Sequence, residues 1–425
     1  MTSPALPQLL LLIIVAISIL LMLLRPRDIP EAYWIAGGVL ALLILRLLPI
    51  RLAVHAVTKA LDVCLFLIGM MLLSELAREH GIFDWLSSAA VSHAGGSCGK
   101  LFALVYAVGT LVTVFMSNDA TAVVLTPAIL TAVRKAKADP LPHLFVCAFI
   151  ANAASFLLPI SNPANLVVFH SHMPTLGRWL IAFGLPCVLS IGVTFVVMRC
   201  IFRDELRTVI ATDIEPRPLT PDGKLVLGGI IFVVVVLLAA SSLGKDLGWP
   251  TFLATLAISG IASIYARKNP LKLAKEISWE TLALVAGLFV MVEAIETAGA
   301  LQHAQYWLLV VQQFGPTTAA LITGFAIAFA NNLVNNLPLG LIAGSTLQAS
   351  HTTGLIANVV LIGVDLGPNL SITGSLATIL WLIALRKEGI RVSFWDFLKV
   401  GVVTMPLALL ASLISAILLN RWFGS

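Results

Sequence analysis

Four short stretches place polar side chains inside otherwise apolar sequence, and their residue types suit ion or solute handling. The first is SNDAT at 117–121, where Ser117, Asn118 and Thr121 accompany Asp119. A charge in an apolar layer costs on the order of 2.5–3.5 kcal/mol even on a lenient scale, so its place is a polar cavity or an ion path. Asp119 can exchange a proton, coordinate a cation or cap a half-helix. The second stretch is NNLVNNLP at 331–338, whose Asn331, Asn332, Asn335 and Asn336 offer neutral donors and acceptors. Such amides fit a small hydroxylated solute, and they also satisfy broken helix ends. The third is SNPAN at 161–165, with Ser161, Asn162 and Asn165; the fourth is DLGPNLSITGS at 365–375, with Asp365, Asn369, Ser371 and Thr373. Proline removes a helix donor and glycine permits an opening, so the freed backbone can join these side chains in coordination. Asp365 is the second candidate titrating group, with a structural cap as its alternative role.

Other polar residues carry weaker signals. Glu75, Glu293 and Glu296 lie near expected helix ends, where capping or interfacial snorkelling competes with a proton relay. Cys147 reads as a packing residue, and His170 and His172 flank a loop without a third metal ligand. The 5 cysteines lack CxxC spacing. No GKS/T phosphate loop, HExxH pair or GxSxG elbow occurs. The chain therefore reads as a protein without intrinsic hydrolytic chemistry, metal or cofactor, driven by an ion gradient or by a separate ATPase.

The elements that hold these residues follow from composition. Of 425 residues, 59% are hydrophobic and 11% charged, whereas a soluble domain carries roughly 25% charge. One polytopic helical membrane domain is implied. The net charge of +5 lies in short connections, where it orients a membrane protein and makes no nucleic-acid module. Apolar stretches near 5–24, 31–49, 60–77, 143–169, 179–198, 225–243, 250–265, 280–297, 353–382 and 395–420 are each about long enough to cross roughly 30 Å of hydrocarbon. Two more, 101–133 and 314–345, are too long for one plain span and carry SNDAT and NNLVNNLP at their centres. Non-helical backbone at membrane depth is tolerated where protein or a cavity satisfies it. The predicted fold is thus all-α and polytopic, with ten transmembrane helices plus two re-entrant helical hairpins.

Charge supports that topology. With both hairpins re-entrant, only Arg46, Arg51, Lys59, Arg178, Lys245 and Arg421 of the 26 Lys and Arg fall on the outer side, and both termini lie outside. A basic, Pro-bearing connection at 201–224 reads as a cytoplasmic linker between a first half, 1–200, and a second half, 225–425. The halves resemble each other in order. LLSELAREHGIF at 72–83 matches FVMVEAIETAGAL at 289–301, pairing Gly81 with Gly299. FMSNDATAVVLTP at 115–127 matches FANNLVNNLPLGL at 329–341, and FIANAASFLLPISNPANL at 149–166 matches LIANVVLIGVDLGPNL at 355–370, pairing Asn152 with Asn358. Five crossings before the linker make the duplication inverted, an arrangement that gives two related conformations facing opposite sides and so favours a transporter.

At these motifs the chain resembles the arsenite/antimonite efflux permeases of the ion transporter superfamily. The resemblance rests on FMSNDATAVVLTP, SNPANLV at 161–167, NNLVNNLP and, above all, ANVVLIGVDLGPNLSITGSLATILWL at 357–382. It covers essentially the full chain, with SNDATAV standing where members often carry an NDGAA-like stretch. It implies secondary active efflux of trivalent arsenite or antimonite as an uncharged hydroxide, in exchange for protons, across a bacterial or archaeal cytoplasmic membrane. A separate arsenite-stimulated ATPase serves some members, and a homodimer is compatible with the scaffold. Carried over by motif, the polar tips and broken-span residues named above would enclose the solute, with Asp119 and Asp365 coupling protons. A sodium-coupled anion carrier or sodium/proton carrier of the same superfamily is the alternative.

Overall fold

In hydrocarbon every backbone N–H and C=O must be satisfied within its own segment, so apolar runs bounded by Pro, Gly or polar turns fold as helices. The computed structural model describes residues 6–170, 173–211, 218–267, 273 and 275–423. The first half contains α1 (Leu6–Leu24), α2 (Glu31–Ile44), α3 (Ile50–Glu79), α4 (Ile82–His93), α5 (Cys98–Phe115), α6 (Thr126–Lys135), α7 (Pro140–Ala153), α8 (Pro163–Val168) and α9 (Leu176–Ile201). The second contains α10 (Pro221–Ser242), α11 (Gly248–Tyr265), α12 (Trp279–Thr297), α13 (Leu301–Gln312), α14 (Pro316–Val334), α15 (Asn336–Ala349), α16 (Leu355–Leu366), α17 (Leu376–Lys387) and α18 (Phe394–Phe423).

Among the described residues, 8 helices are long and apolar enough to cross a membrane, or 9 when α12 and α13, bent by 77°, count as one span. The chain is an all-α polytopic membrane protein. The ten stretches expected from the sequence divide differently. Those near 31–49, 143–169 and 353–382 fold as shorter helices, α2, α7 and α16, while α5 and α14, the first arms of the expected hairpins, are themselves among the long ones. Apolar composition measures the length of a run, whereas Pro159, Pro163, Gly367 and Pro368 set where the helix inside it stops. Helix α3 also starts at Ile50, ahead of the 60–77 stretch. Its first turns are amphipathic, with Ala53, Ala56 and Ala60 buried and Arg51, His55 and Lys59 on the exposed face.

Packing joins the helices pairwise. Helix α3 lies along α11 and α12, and α9 lies along α18; α5 packs on α7, and α14 packs on α16. The two interrupted segments meet where α7 touches α16. Gly81 and Gly299 both hold left-handed backbone, with φ of +70° and +74°, at the turns after α3 and α12. That conformation is open to glycine at little cost. Buried indoles fasten the interrupted segments: Trp381 Nε1 donates to the Leu144 carbonyl and Trp179 Nε1 to that of Phe156, both at 3.1 Å. The connection after α9 is pinned as far as it is described, with Ile210 N donating to Gly96 O at 3.0 Å and Ala211 N to Ala136 O at 2.9 Å. Part of the expected linker, residues 212–217, lies outside the described residues.

Candidate functional site

The first interruption follows α7. Pro163 occupies the first turn of α8, where a missing N–H costs nothing, and Asn162 caps that helix through Oδ1, accepting from Ala164 N at 3.0 Å. Asn165 Nδ2 collects the carbonyls released by the break: Ser155 at 2.9 Å, Leu158 at 3.2 Å and Pro159 at 3.3 Å. Ser161 Oγ donates to Val114 O at 2.9 Å, tying the break to the end of α5.

The second interruption, between α16 and α17, is served from the turn between α14 and α15. Asn331 Nδ2 donates to the carbonyls of Gly363 and Val364. Asn332 Nδ2 donates to Gly367 O at 3.1 Å, and its Oδ1 accepts from Ser371 Oγ at 2.7 Å. Thr373 Oγ1 donates to Asn332 O at 3.0 Å, and Asn335 Nδ2 to Thr373 O at 3.3 Å. Asn335 itself stands at φ 78°, ψ 153°, backbone that costs a non-glycine residue about 1–3 kcal/mol and persists where surrounding contacts impose it. Ser375 caps α17 as Asn162 caps α8, accepting from Ala377 N at 3.1 Å.

The two interruptions join at Asp365, which is fully buried. Its Oδ2 accepts from Ser155 Oγ at 2.7 Å and its Oδ1 from Asn162 Nδ2 at 3.0 Å. One turn on, Asn369 Oδ1 accepts from Asn152 Nδ2 at 2.9 Å, and Asn369 Nδ2 donates to Phe149 O at 3.0 Å. Ser155 and Asn152 are the residues that sequence reasoning missed. Their signal is present in hindsight as the polar members of FIANAAS in an apolar helix end. Asn162 and Ser375 cap in the same way, and ten residues before them stand Asn152 and Asp365; Asn358 lines a separate cavity near Arg178.

The expected tip residues 117–121 stay apart from this network. Ser117 Oγ accepts from Ala120 N at 3.1 Å and Thr121 Oγ1 lies 2.8 Å from Thr113 Oγ1, so both hold the tip's own backbone turn. Asp119 is half-buried and lines a cavity of about 700 Å³ together with Glu75, Arg78, Thr131, Thr281 and Lys387. A second cavity of about 270 Å³ is lined by Lys59, His170, Glu293, Glu296, Ser345 and His351. Lys59 and Glu75 are separated along α3 by roughly 24 Å at 1.5 Å per residue, so the cavities lie at opposite ends of that helix. Helix α12 runs beside it in the reverse sense, placing Thr281 in the first cavity and Glu293 in the second. Glu75 pairs with Arg78, and Glu293 with Lys59 at 3.1 Å, in place of capping helix ends.

Several amide oxygens of the described residues are buried without a partner, alongside hydroxyls and the Arg25 and Trp34 side-chain nitrogens. Among the described residues, Asn118, Asn152, Asn165, Asn331 and Asn336 each bury an Oδ1 that no protein donor reaches, and no Lys or Arg is buried. Buried polar atoms are ordinarily satisfied, so such oxygens mark places for water, an ion or a solute. No three His, Cys, Asp or Glu side chains among the described residues converge on a metal site. His170 Nδ1 bonds Val167 O at 2.9 Å, His172 lies outside the described residues, and Cys147 is buried with its thiol directed to His143 O.

Many apolar spans and two interrupted helices meeting in a polar centre define the architecture of a polytopic membrane transporter. The chain belongs to the citrate transporter (CitMHS) family, whose model matches residues 12–364. It is 28% identical over 356 residues to the arsenical pump membrane protein of Escherichia coli K12, covering 80% of this chain and 82% of that protein. The arsenical pump membrane protein of Yersinia enterocolitica is 27% identical over 354 residues, with the same coverage of 80% and 82%. The fold is similar to that of the YdaH transporter of Alcanivorax borkumensis, at a TM-score of 0.59 and 13% identity over 88% of this chain and 87% of that one. The chain is therefore a distant relative of arsenical pump and other ion-transporter-superfamily proteins.

Proposed function

We propose that the chain carries out secondary active efflux of trivalent arsenite or antimonite, taken as the uncharged trihydroxide, in exchange for protons. The observation that carries this reading is the set of unpartnered amide oxygens around the interruptions, with no buried Lys or Arg among the described residues. A neutral trihydroxide brings hydroxyl donors and needs acceptors. A citrate-like polyanion needs the reverse, donors and cationic forks. The names of the relatives point the same way, while the family description keeps a carboxylate cargo as the competing case. Sodium coupling is the second reading, since the same oxygens suit a hard cation. Against it, Asn165, Asn331, Asn332 and Asn335 already commit amide donors to the carbonyls that the breaks release.

In this reading α5–α6 and α14–α15 are two re-entrant hairpins within ten crossings, related by an inverted repeat, with both termini outside a bacterial or archaeal cytoplasmic membrane. The opposite directions of α3 and α12 between two cavities support it, as do the matched caps Asn162 and Ser375. Asp119 receives the solute at the larger cavity and Asp365 exchanges the proton at the centre. Arsenite accumulation in everted vesicles under an imposed proton gradient tests this. Accumulation collapses with a protonophore and is unchanged by sodium. Asp119→Asn lowers its rate about tenfold, the effect of about 1.4 kcal/mol. Sodium-dependent uptake of a carboxylate, with no arsenite accumulation, would overturn the reading.

A further inference from the structure

The Ser155 hydroxyl has two acceptors in reach and a single hydrogen to give them. Asp365 Oδ2 and the Asn152 carbonyl oxygen both lie 2.7 Å from Ser155 Oγ. With Asp365 ionised, Ser155 donates to Oδ2 while Asn162 donates to Oδ1. A proton arriving on Oδ2 needs an acceptor, and the lone pair of Ser155 Oγ is the one in place. The bond then runs from Oδ2–H to Oγ, and the freed Ser155 hydrogen turns to Asn152 O. Both arrangements leave the carboxyl and the hydroxyl fully satisfied, with one proton added and no other bond changed. Asn152 O, in the last turn of α7 immediately before its interruption, already accepts from Ser155 N at 3.3 Å, and only the second arrangement adds the Ser155 hydroxyl to it. The same Asn152 holds Asn369, one turn beyond Asp365.

We propose that Ser155 is a positioning residue whose hydrogen bond reverses with the protonation of Asp365, so that the end of α7 gains a further hydrogen bond when the carboxyl is neutral and loses it when the carboxyl is charged. The inference rests on Asp365 being the proton site of the proposed function and is independent of the cargo. The titratable groups on the elements around it are few. Helix α9 brings Cys187, whose thiol donates to Ala153 O at 3.5 Å. Helix α7 brings Cys147 and His143 farther from its broken end, and α14 and α18 bury no titratable side chain.

Infrared difference spectra of the purified full chain in liposomes, recorded against pH without cargo, test this. A protonated-carboxyl carbonyl band should appear on acidification and be missing in Asp365→Asn. In Ser155→Ala the charged carboxyl loses a donor, so the band's midpoint moves to higher pH by about one unit or more, tenfold or more in proton affinity. The band also shifts because its O–H has lost its acceptor. Ser155→Thr, which restores the hydroxyl, returns both toward wild type, a rescue that mere packing would not give. Should Ser155→Ala not fold, Ser155→Cys, a weaker donor, moves the midpoint the same way by less. An unchanged midpoint in the folded variant, or no Asp365 band in the wild type, overturns the inference. An intact, Ser155-dependent band in a protein that fails to move arsenite supports it and overturns only the cargo.

Discussion

Asp365→Asn is expected to abolish proton-driven accumulation of the solute, down to the level of vesicles without the protein, while the fold survives. Asparagine is nearly isosteric with aspartate, its Oδ1 can still accept from Asn162 Nδ2, and its Nδ2 can donate to Ser155 Oγ in the geometry that joins these groups at 3.0 and 2.7 Å. Charge-assisted bonds become neutral ones, a change of about 1 kcal/mol in stability. The proton, however, has nowhere to bind. The variant mimics one protonation form permanently, so the steps that require the other form cease. Solute-for-solute exchange across the membrane, which needs no net proton movement, should persist. Both assays in the same proteoliposomes, with a melting curve as the control for folding, make the comparison. Exchange lost together with accumulation at an unchanged Tm would assign Asp365 to holding the solute and remove it from proton coupling. Asp365→Leu gives the structural contrast: it orphans the buried Asn162 amide at a cost of roughly 1–3 kcal/mol, and that variant should melt early.

How far the sequence foretold this centre varies from residue to residue. Proline and glycine at SNPAN and DLGPNLSITGS are local commands, so both interruptions could be placed from the chain alone. Gly81 and Gly299 were pairable for the same reason, since each sets its own backbone. The amides were harder. A run of four asparagines announces polarity, but each amide has a donating and an accepting end, and only the fold tells which end is occupied. Asn331, Asn332 and Asn335 spend their donors on the carbonyls of Gly363, Gly367 and Thr373, so what remains for a solute is acceptor chemistry.

Ser155 was hard to read for a different reason. Its partner Asp365 is 210 residues away, and the polar letters of FIANAAS gain a role only where the crossing of α7 and α16 brings the two together. The letters IAN pair Asn152 with Asn358, while the alike caps Asn162 and Ser375 each have a polar residue ten positions earlier, Asn152 and Asp365. Asn152 and Asp365 thus stand at the same distance before the two caps, one an amide and one a carboxyl, so the centre has one titrating member.

The close approach of α14 to the second interruption sets the second large effect, at Gly367. Its backbone is ordinary right-handed helix, φ −49° and ψ −41°, so conformational freedom is not why glycine stands there. Space is. A Cβ at this position would come within 2.6 Å of Ala328 O, 2.7 Å of Asn331 Nδ2 and 2.9 Å of Ala328 Cα. Two of these atoms belong to the α14 backbone and cannot turn aside. The third is the amide that holds the Gly363 and Val364 carbonyls. A single methyl must therefore push α14 away from the broken segment or displace Asn331 from it. Overpacking costs about 1–3 kcal/mol, and each buried carbonyl left without its donor adds roughly 1 kcal/mol. Gly367→Ala should lower Tm by several degrees, at roughly 2–4 °C per kcal/mol. It should also lower transport by at least about tenfold, because about 1.4 kcal/mol lost in assembling the centre is enough for that. Gly37→Ala is the matched control: it is an exposed α2 position with nothing within 4 Å of the added carbon, and replacing a helical glycine there should stabilise by about 0.5–1 kcal/mol. Equal Tm and transport in Gly367→Ala and wild type would mean that hairpin and broken helix do not need their close approach, and that the asparagine turn can serve the carbonyls from farther off.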